Sequence, residues 1–202
     1  MFFGDTYKTI KIATESQLRE KASKFFGFAY PIKNEQEAKE IIQSLKKKYP
    51  DASHHCYAYI LGLNKDIFRA NDDGEPANTA GKPIHRAIQS LGVTDVLVVV
   101  VRYFGGTLLG VPGLINAYGN SAKQTLEMAE IVDKTVEETY EVNCTYEQEN
   151  EVFKILKQHE AVMVGIEKTS EVKITFTVRK SAANDIYEKV IKNTNAKIAF
   201  IK

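Results

Sequence analysis

Three clusters in this 202-residue chain carry side chains and backbone that chemistry could use. The first is Asp72-Asp73-Gly74-Glu75, followed by Thr79, Ala80 and Gly81. Carboxylates this close together are donors for a hard cation, but their spacing does not fit an EF-hand. Asp-Gly and Glu-Pro are also turn formers, and aspartate accepts hydrogen bonds from nearby backbone. We therefore read Asp72, Asp73, Gly74, Glu75, Thr79 and Gly81 as loop-shaping, with an anion on the N–H groups of the following helix start as a second possibility. The second cluster is His54-His55-Cys56. On a strand, His54 and Cys56 share one face and His55 takes the other. Zinc would need further ligands, and no second pair stands at ligand spacing, so no metal is expected. The third is Arg102-Tyr103-Phe104-Gly105-Gly106 with Gly110. A guanidinium suits phosphate, aromatic rings stack on bases, and glycines let backbone N–H groups approach a ligand. Arg102 pairing with one of the loop acids is the competing reading. The glycines match neither a Walker loop nor a Rossmann fingerprint, so no nucleotide cofactor is expected.

Periodicity supplies the elements that must hold these clusters. Tyr7 to Ile12 and Lys24 to Tyr30 read as strands. Asn34 caps a helix whose apolar positions are Ala38, Ile41, Ile42 and Leu45, with acids early and lysines late. Ser53 to Leu61 is a strand, and Ile67 to Ala70 a short one. A helix starts near Pro83 and stops at Gly92. Asp95 to Arg102 is a strand whose unbroken valines predict burial on both faces. Gly113 to Ala129 is a helix packing through Leu114, Ala117, Tyr118, Ala122, Thr125 and Leu126. After Val132 to Lys134 the texture changes to the order β-α-β-β-α-β, with Ser181 as the cap of its second helix. The expected class is α+β with two domains, 1–133 and 134–202.

Bulk properties narrow the function. A net charge of +1 gives no general attraction to nucleic acid, so any such contact rests on a local patch. Cys56 and Cys144 stand apart without a CxxC, as in core residues of a reducing compartment. No apolar run reaches about 18 residues, and the first ten residues do not read as a secretory leader. The expectation is a cytoplasmic protein without a membrane partner.

The three motifs in order resemble the IMPACT family, which includes the bacterial YigZ-like proteins. The resemblance rests on Asp51 with His54-His55-Cys56 and Ala58, on Asp72 to Pro76 with Thr79 to Pro83, and on Val99 to Gly106 with Leu109-Gly110, Gly113-Leu114 and Ala117-Tyr118-Gly119. Lys21, Ser23, Lys24 and Phe25 also look like the family's basic N-terminal strand. The resemblance implies a first domain like the second domain of a small-subunit ribosomal protein. It implies a ferredoxin-like second domain similar to a late domain of elongation factor G. It also implies a role with RNA or the translation machinery. Asn78 and Pro112 replace glycines usual in the family, Asn116 replaces a basic residue and His85 an aliphatic one.

The reading that follows is a non-catalytic binding protein that contacts RNA, the ribosome or a translation factor through a groove between the two glycine-containing loops. Lys21, Lys24, Lys82, Arg86 and Arg102 are its expected cations, with Tyr103, Gly105, Gly106 and Gly110 beside them. The alternative is a small hydrolase or phosphoryl-binding enzyme using His55, Asp73 and Arg102, whose signature is convergence of the three in one cleft.

Overall fold

The computed structural model describes residues 4–202. Met1–Phe3, part of the segment on which the leader-peptide expectation rests, lie outside the described residues. The chain is α+β and divides into two compact units, Tyr7–Lys134 and Thr135–Lys202 with the segment up to Thr6. No described helix is long and apolar enough to cross a membrane.

The first unit runs β1 (Thr6–Ile10), β2 (Thr14–Glu20), β3 (Ser23–Pro31), α1 (Glu35–Lys48), β4 (His54–Leu61), β5 (Ile67–Asn71), α2 (Gly81–Leu91), β6 (Val96–Tyr103), α3 (Gly110–Glu127) and β7 (Ile131–Thr135). Five strands make an antiparallel sheet in the order β2-β3-β6-β4-β5, while β1 and β7 pair separately. Central β6 is buried from Val96 to Arg102. Its even-numbered valines join Phe25, Cys56, Ile84, Ile88, Leu114 and Tyr118 in the core under α2 and α3. Val99 and Val101 join Phe28, Ala38, Ile42 and Leu45 in the core under α1. The valine run thus reflects a sheet covered on both sides, here with antiparallel strands.

Local signals explain the helix ends. The Asn34 side chain accepts from the Glu37 amide at 2.9 Å, and the Glu37 carboxylate accepts from the Lys33 amide at 2.8 Å, closing both sides of the α1 start. Gly92 ends α2 in the left-handed region, φ +74°. Helix α3 starts at Gly110 rather than Gly113, and Pro112 sits in its first turn, where a missing N–H costs little. Strands β2 and β7 carry no clear sequence signal. The inner face of β2 carries Thr14 and Ser16 beside Leu18, with the Ser16 and Thr125 hydroxyls 2.7 Å apart.

The second unit runs β8 (Glu137–Cys144), α4 (Glu149–Gln158), β9 (Val162–Lys168), β10 (Val172–Arg179), α5 (Lys180–Thr194) and β11 (Lys197–Phe200). Its sheet order is β11-β8-β10-β9, so the first and third strands are neighbours, a split β-α-β arrangement. Val172, Ile174, Phe176 and Val178 alternate inward from β10 onto Val152, Ile155, Ile186 and Val190. Ser181 does not cap α5. Arg179 holds the cap position, and the Ser181 hydroxyl donates to the Asp5 carboxylate at 2.6 Å.

Candidate functional site

The three motifs meet at one end of the five-stranded sheet because antiparallel register brings distant residues side by side. His54 lies opposite Arg102 on one side of β6, and Phe25 lies opposite Arg102 on the other. Directly opposed residues share a face, so His54, Phe25 and Arg102 all point toward the α2–α3 side. The acidic loop folds over this end. The Arg102 guanidinium donates to Glu75 Oε1 at 2.6 Å, and both side chains are about 95% buried, with 5% and 4% exposed. The Tyr118 hydroxyl donates to the same oxygen at 2.7 Å. Arg102 also reaches the Ser23 hydroxyl at 3.3 Å, and its guanidinium carbon lies 5.5 Å from the Phe25 ring centre and 5.4 Å from that of Phe104. Its Nε has no partner among the described residues.

This arrangement corrects the expectation that Arg102 is open to phosphate. Its charge is already matched by Glu75, the pairing that the competing reading anticipated. The other acids are also committed. Asp72 accepts from the amides of Asn78, Ala80 and Gly81 at 2.9, 3.0 and 2.8 Å. That occupies the start of α2, so the anion expected there meets a carboxylate instead. Asp73 accepts from the His55 amide at 2.7 Å and from the Lys46 ammonium at 2.8 Å. Burial pushes the Asp73 carboxyl up, but the bonds from Lys46 and the His55 amide outweigh it and hold the group below its ordinary value. Asn78 adopts φ +64°, a conformation asparagine tolerates better than most residues, which accounts for its standing in for glycine. No group of three potential metal ligands occurs among the described residues.

His55 and Asp73 meet, with the ring Nδ1 3.8 Å from Asp73 Oδ2, but Arg102 does not join them. His55 opposes Val101, so its ring lies on the opposite sheet face from Arg102. There its Nε2 lies 3.1 Å from the Tyr49 carbonyl, and desolvation lowers its pKa. His54 is the histidine at the site. Its Nδ1 is 2.9 Å from the Asp73 carbonyl, which can only accept, so the neutral ring carries its proton there. Its Nε2 lies 3.7 Å from Glu75 Oε1. Cys56 donates to the Asp72 carbonyl at 3.0 Å, and burial pushes its thiol far up, which opposes thiolate formation.

Among the described residues, two grooves open at this end, and Phe104 lines both. One, about 460 Å³, has Ser53, His54, Glu75 and Arg102 as its polar lining and Pro76, Leu109 and Val111 among its apolar walls. The other, about 290 Å³, lies on the α1 side and is lined by Ala22, Lys24, Phe26, Tyr49, Tyr103 and Phe104. Gly110 lines the first groove at φ +73°, and Lys21 donates to the Leu108 carbonyl at 3.3 Å beside it. Gly105 passes so close to Ala22 that any side chain would strike the Ala22 carbonyl. Gly106 sits in the turn at φ +82°. Lys82 and Arg86 are exposed on α2, and neither lines these grooves. Sequence reasoning thus missed His54, the Tyr118 hydroxyl, Phe26 and Tyr49 as parts of the site. The run Lys46-Lys47-Lys48-Tyr49, read only as a helix end, was the available signal for the last.

Comparison with known proteins gives a consistent result. The family model described as the Impact N-terminal domain matches residues 21–126. The chain is 33% identical over 192 residues to the IMPACT family member YvyE of Bacillus subtilis, covering 95% of this chain and 88% of that protein. It is 36% identical over 147 residues to the IMPACT family member YigZ of Escherichia coli, covering 72% of each. A solved structure described only as a crystal structure of a hypothetical protein matches with a TM-score of 0.73 at 27% identity, covering 98% of both chains.

Proposed function

Since this chain belongs to the IMPACT family, we propose that it is a non-catalytic, translation-linked binding protein whose grooved sheet end contacts RNA of the translation machinery. The likenesses to a ribosomal protein domain and an elongation factor domain, drawn from the family resemblance, belong to this same reading. One observation carries it. Phe104 is 46% exposed, its ring rests against the Arg102 guanidinium, and Lys24 lines the adjoining groove. An aromatic platform held in place beside a lysine is what a base and its phosphate require. The polar floor supports binding over catalysis, because its carboxylate and guanidinium neutralise each other and its thiol is buried.

The test is binding to ribosomes and to structured and single-stranded RNA across a salt series. Phosphate contacts give a log–log slope of about −0.7 per contact for single strands. Phe104→Ala weakens binding while costing only about 0.5–1 kcal/mol of stability, the worth of an exposed cation–π contact. Absence of RNA and ribosome binding at low salt overturns the reading.

A further inference from the structure

We infer that the groove on the α1 side of the five-stranded sheet is a nucleobase site for single-stranded RNA; this rests on the RNA reading above and specifies how the strand is held. The groove is built from three places in the sequence. Phe26 comes from β3, Tyr49 from the end of α1, and Tyr103 and Phe104 from the end of β6. Phe26 and Tyr49 stack, with ring centres 5.9 Å apart and planes 20° from parallel. Tyr103 meets Phe26 edge-on at 5.9 Å and 82°. Two orientations of ring therefore border one opening, so a flat ligand finds a face to lie on and an edge to abut.

The charge around the opening has the sign a phosphate needs. Lys24 lies directly across the ladder from Tyr103, lines the groove, and forms no ion pair among the described residues. The Lys48 ammonium sits 5.2 Å from the Tyr49 ring centre. No carboxylate lines the groove. A volume of about 290 Å³ lies just below the range of small-molecule sites, about 300 to 1,000 Å³, so the space suits a single base better than a large cofactor. Aromatic stacking with a lysine on the backbone is the recognition mode of single-strand binders, and it tolerates any base because every base has a π face. A net charge near neutrality does not oppose this, since the attraction is local.

The experiment compares a labelled hexaadenylate with an abasic sugar-phosphate of the same length, each titrated at low salt against the full chain. Hexaadenylate binds more tightly than the abasic strand. Tyr103→Leu keeps apolar bulk but removes the ring, and weakens hexaadenylate by about 5- to 100-fold while leaving the abasic strand unchanged. Lys24→Gln weakens both strands. A second readout needs no variant. Adenosine monophosphate shifts the ring NMR signals of Tyr49 and Tyr103 in the unaltered protein, and ribose 5-phosphate does not. Equal affinity for the two strands, or unmoved tyrosine signals, overturns the base site. If salt-sensitive RNA binding persists in Tyr103→Leu but is lost in Phe104→Ala, only this inference fails. If no RNA binds at all, the parent reading fails with it.

Discussion

The acidic loop and the glycine turn after β6 look alike in sequence, and the folded chain uses them in opposite ways. Asp72, Asp73 and Glu75 spend their oxygens on partners inside the protein: backbone amides, Lys46, Arg102 and Tyr118. The turn from Tyr103 to Gly110 instead leaves Phe104 and Leu108 open to solvent. Burial decides the difference. A carboxylate taken out of water must be paired or hydrogen-bonded, whereas an aromatic at a strand end tolerates exposure. A motif dense in chemistry-bearing residues can therefore be the frame, and its plainer neighbour the surface that meets a ligand.

The sharpest way to break that contrast is to remove Glu75. Glu75→Ala leaves the Arg102 guanidinium buried without its counter-charge, an arrangement that costs about 3–5 kcal/mol. Urea unfolding should show that loss. Replacing both partners with apolar residues, Glu75→Leu with Arg102→Met, should recover the part due to the orphaned charge, while the buried Tyr118 hydroxyl, left without Glu75, keeps a remainder. A single variant as stable as the parent would mean that Glu75 is free for a ligand and that the loop is not a frame.

Asp72 gives the next largest effect. Asp72→Ala strips the partner from the exposed Asn78 amide and from the Ala80 and Gly81 amides at the start of α2, and the latter two are buried donors, which left unmet cost about 1–3 kcal/mol. Hydrogen exchange at Ala80 and Gly81 should speed up while the β6 amides stay protected. Unchanged exchange at those two residues would show that the carboxylate does not hold the helix start.

The frame was more legible than the site. Asn34, Gly92 and the valine run each announce their elements through local rules that need no knowledge of the rest of the chain. Strands β2 and β7 were silent because their inner faces are half-polar, so alternation of apolar residues does not mark them. At the site, turn chemistry in the acidic loop was readable from Asp-Gly and Glu-Pro. The identity of Arg102's partner was not, since it depends on how a loop between β5 and α2 falls across a strand that comes later. Alternation separated His54 from His55 but did not say which face receives α2 and α3. That one fact makes His54 a site residue and His55 a buried neighbour of Tyr49. The family resemblance was legible because the motifs lie in contiguous stretches, while the aromatic groove draws on three separated ones.

The finest test of the contrast uses pH and concerns His55, a buried side chain on the α1 face of the sheet. Burial lowers the His55 pKa below its ordinary 6.5 in the folded chain. The unfolded chain therefore takes up the proton first as pH falls. The contribution of neutral, buried His55 is complete above about pH 6.5 and declines as pH drops from there toward the folded value. Desolvation lowers the His85 pKa in the same direction, so both histidines tilt stability across this window. The Asp73 carboxyl, held below its ordinary 3.8, acts only at more acidic pH and leaves this window clear. His55→Gln should flatten part of the stability loss that sets in below about pH 6.5, with His85 contributing slope in the same direction. RNA affinity at pH 7.5 should change little, because His55 lines neither groove and a glutamine amide can keep the hydrogen bond to the Tyr49 carbonyl. An unaltered stability profile in His55→Gln would mean that the ring is hydrated in the folded state. Lost RNA binding at neutral pH would move His55 from the frame to the binding surface.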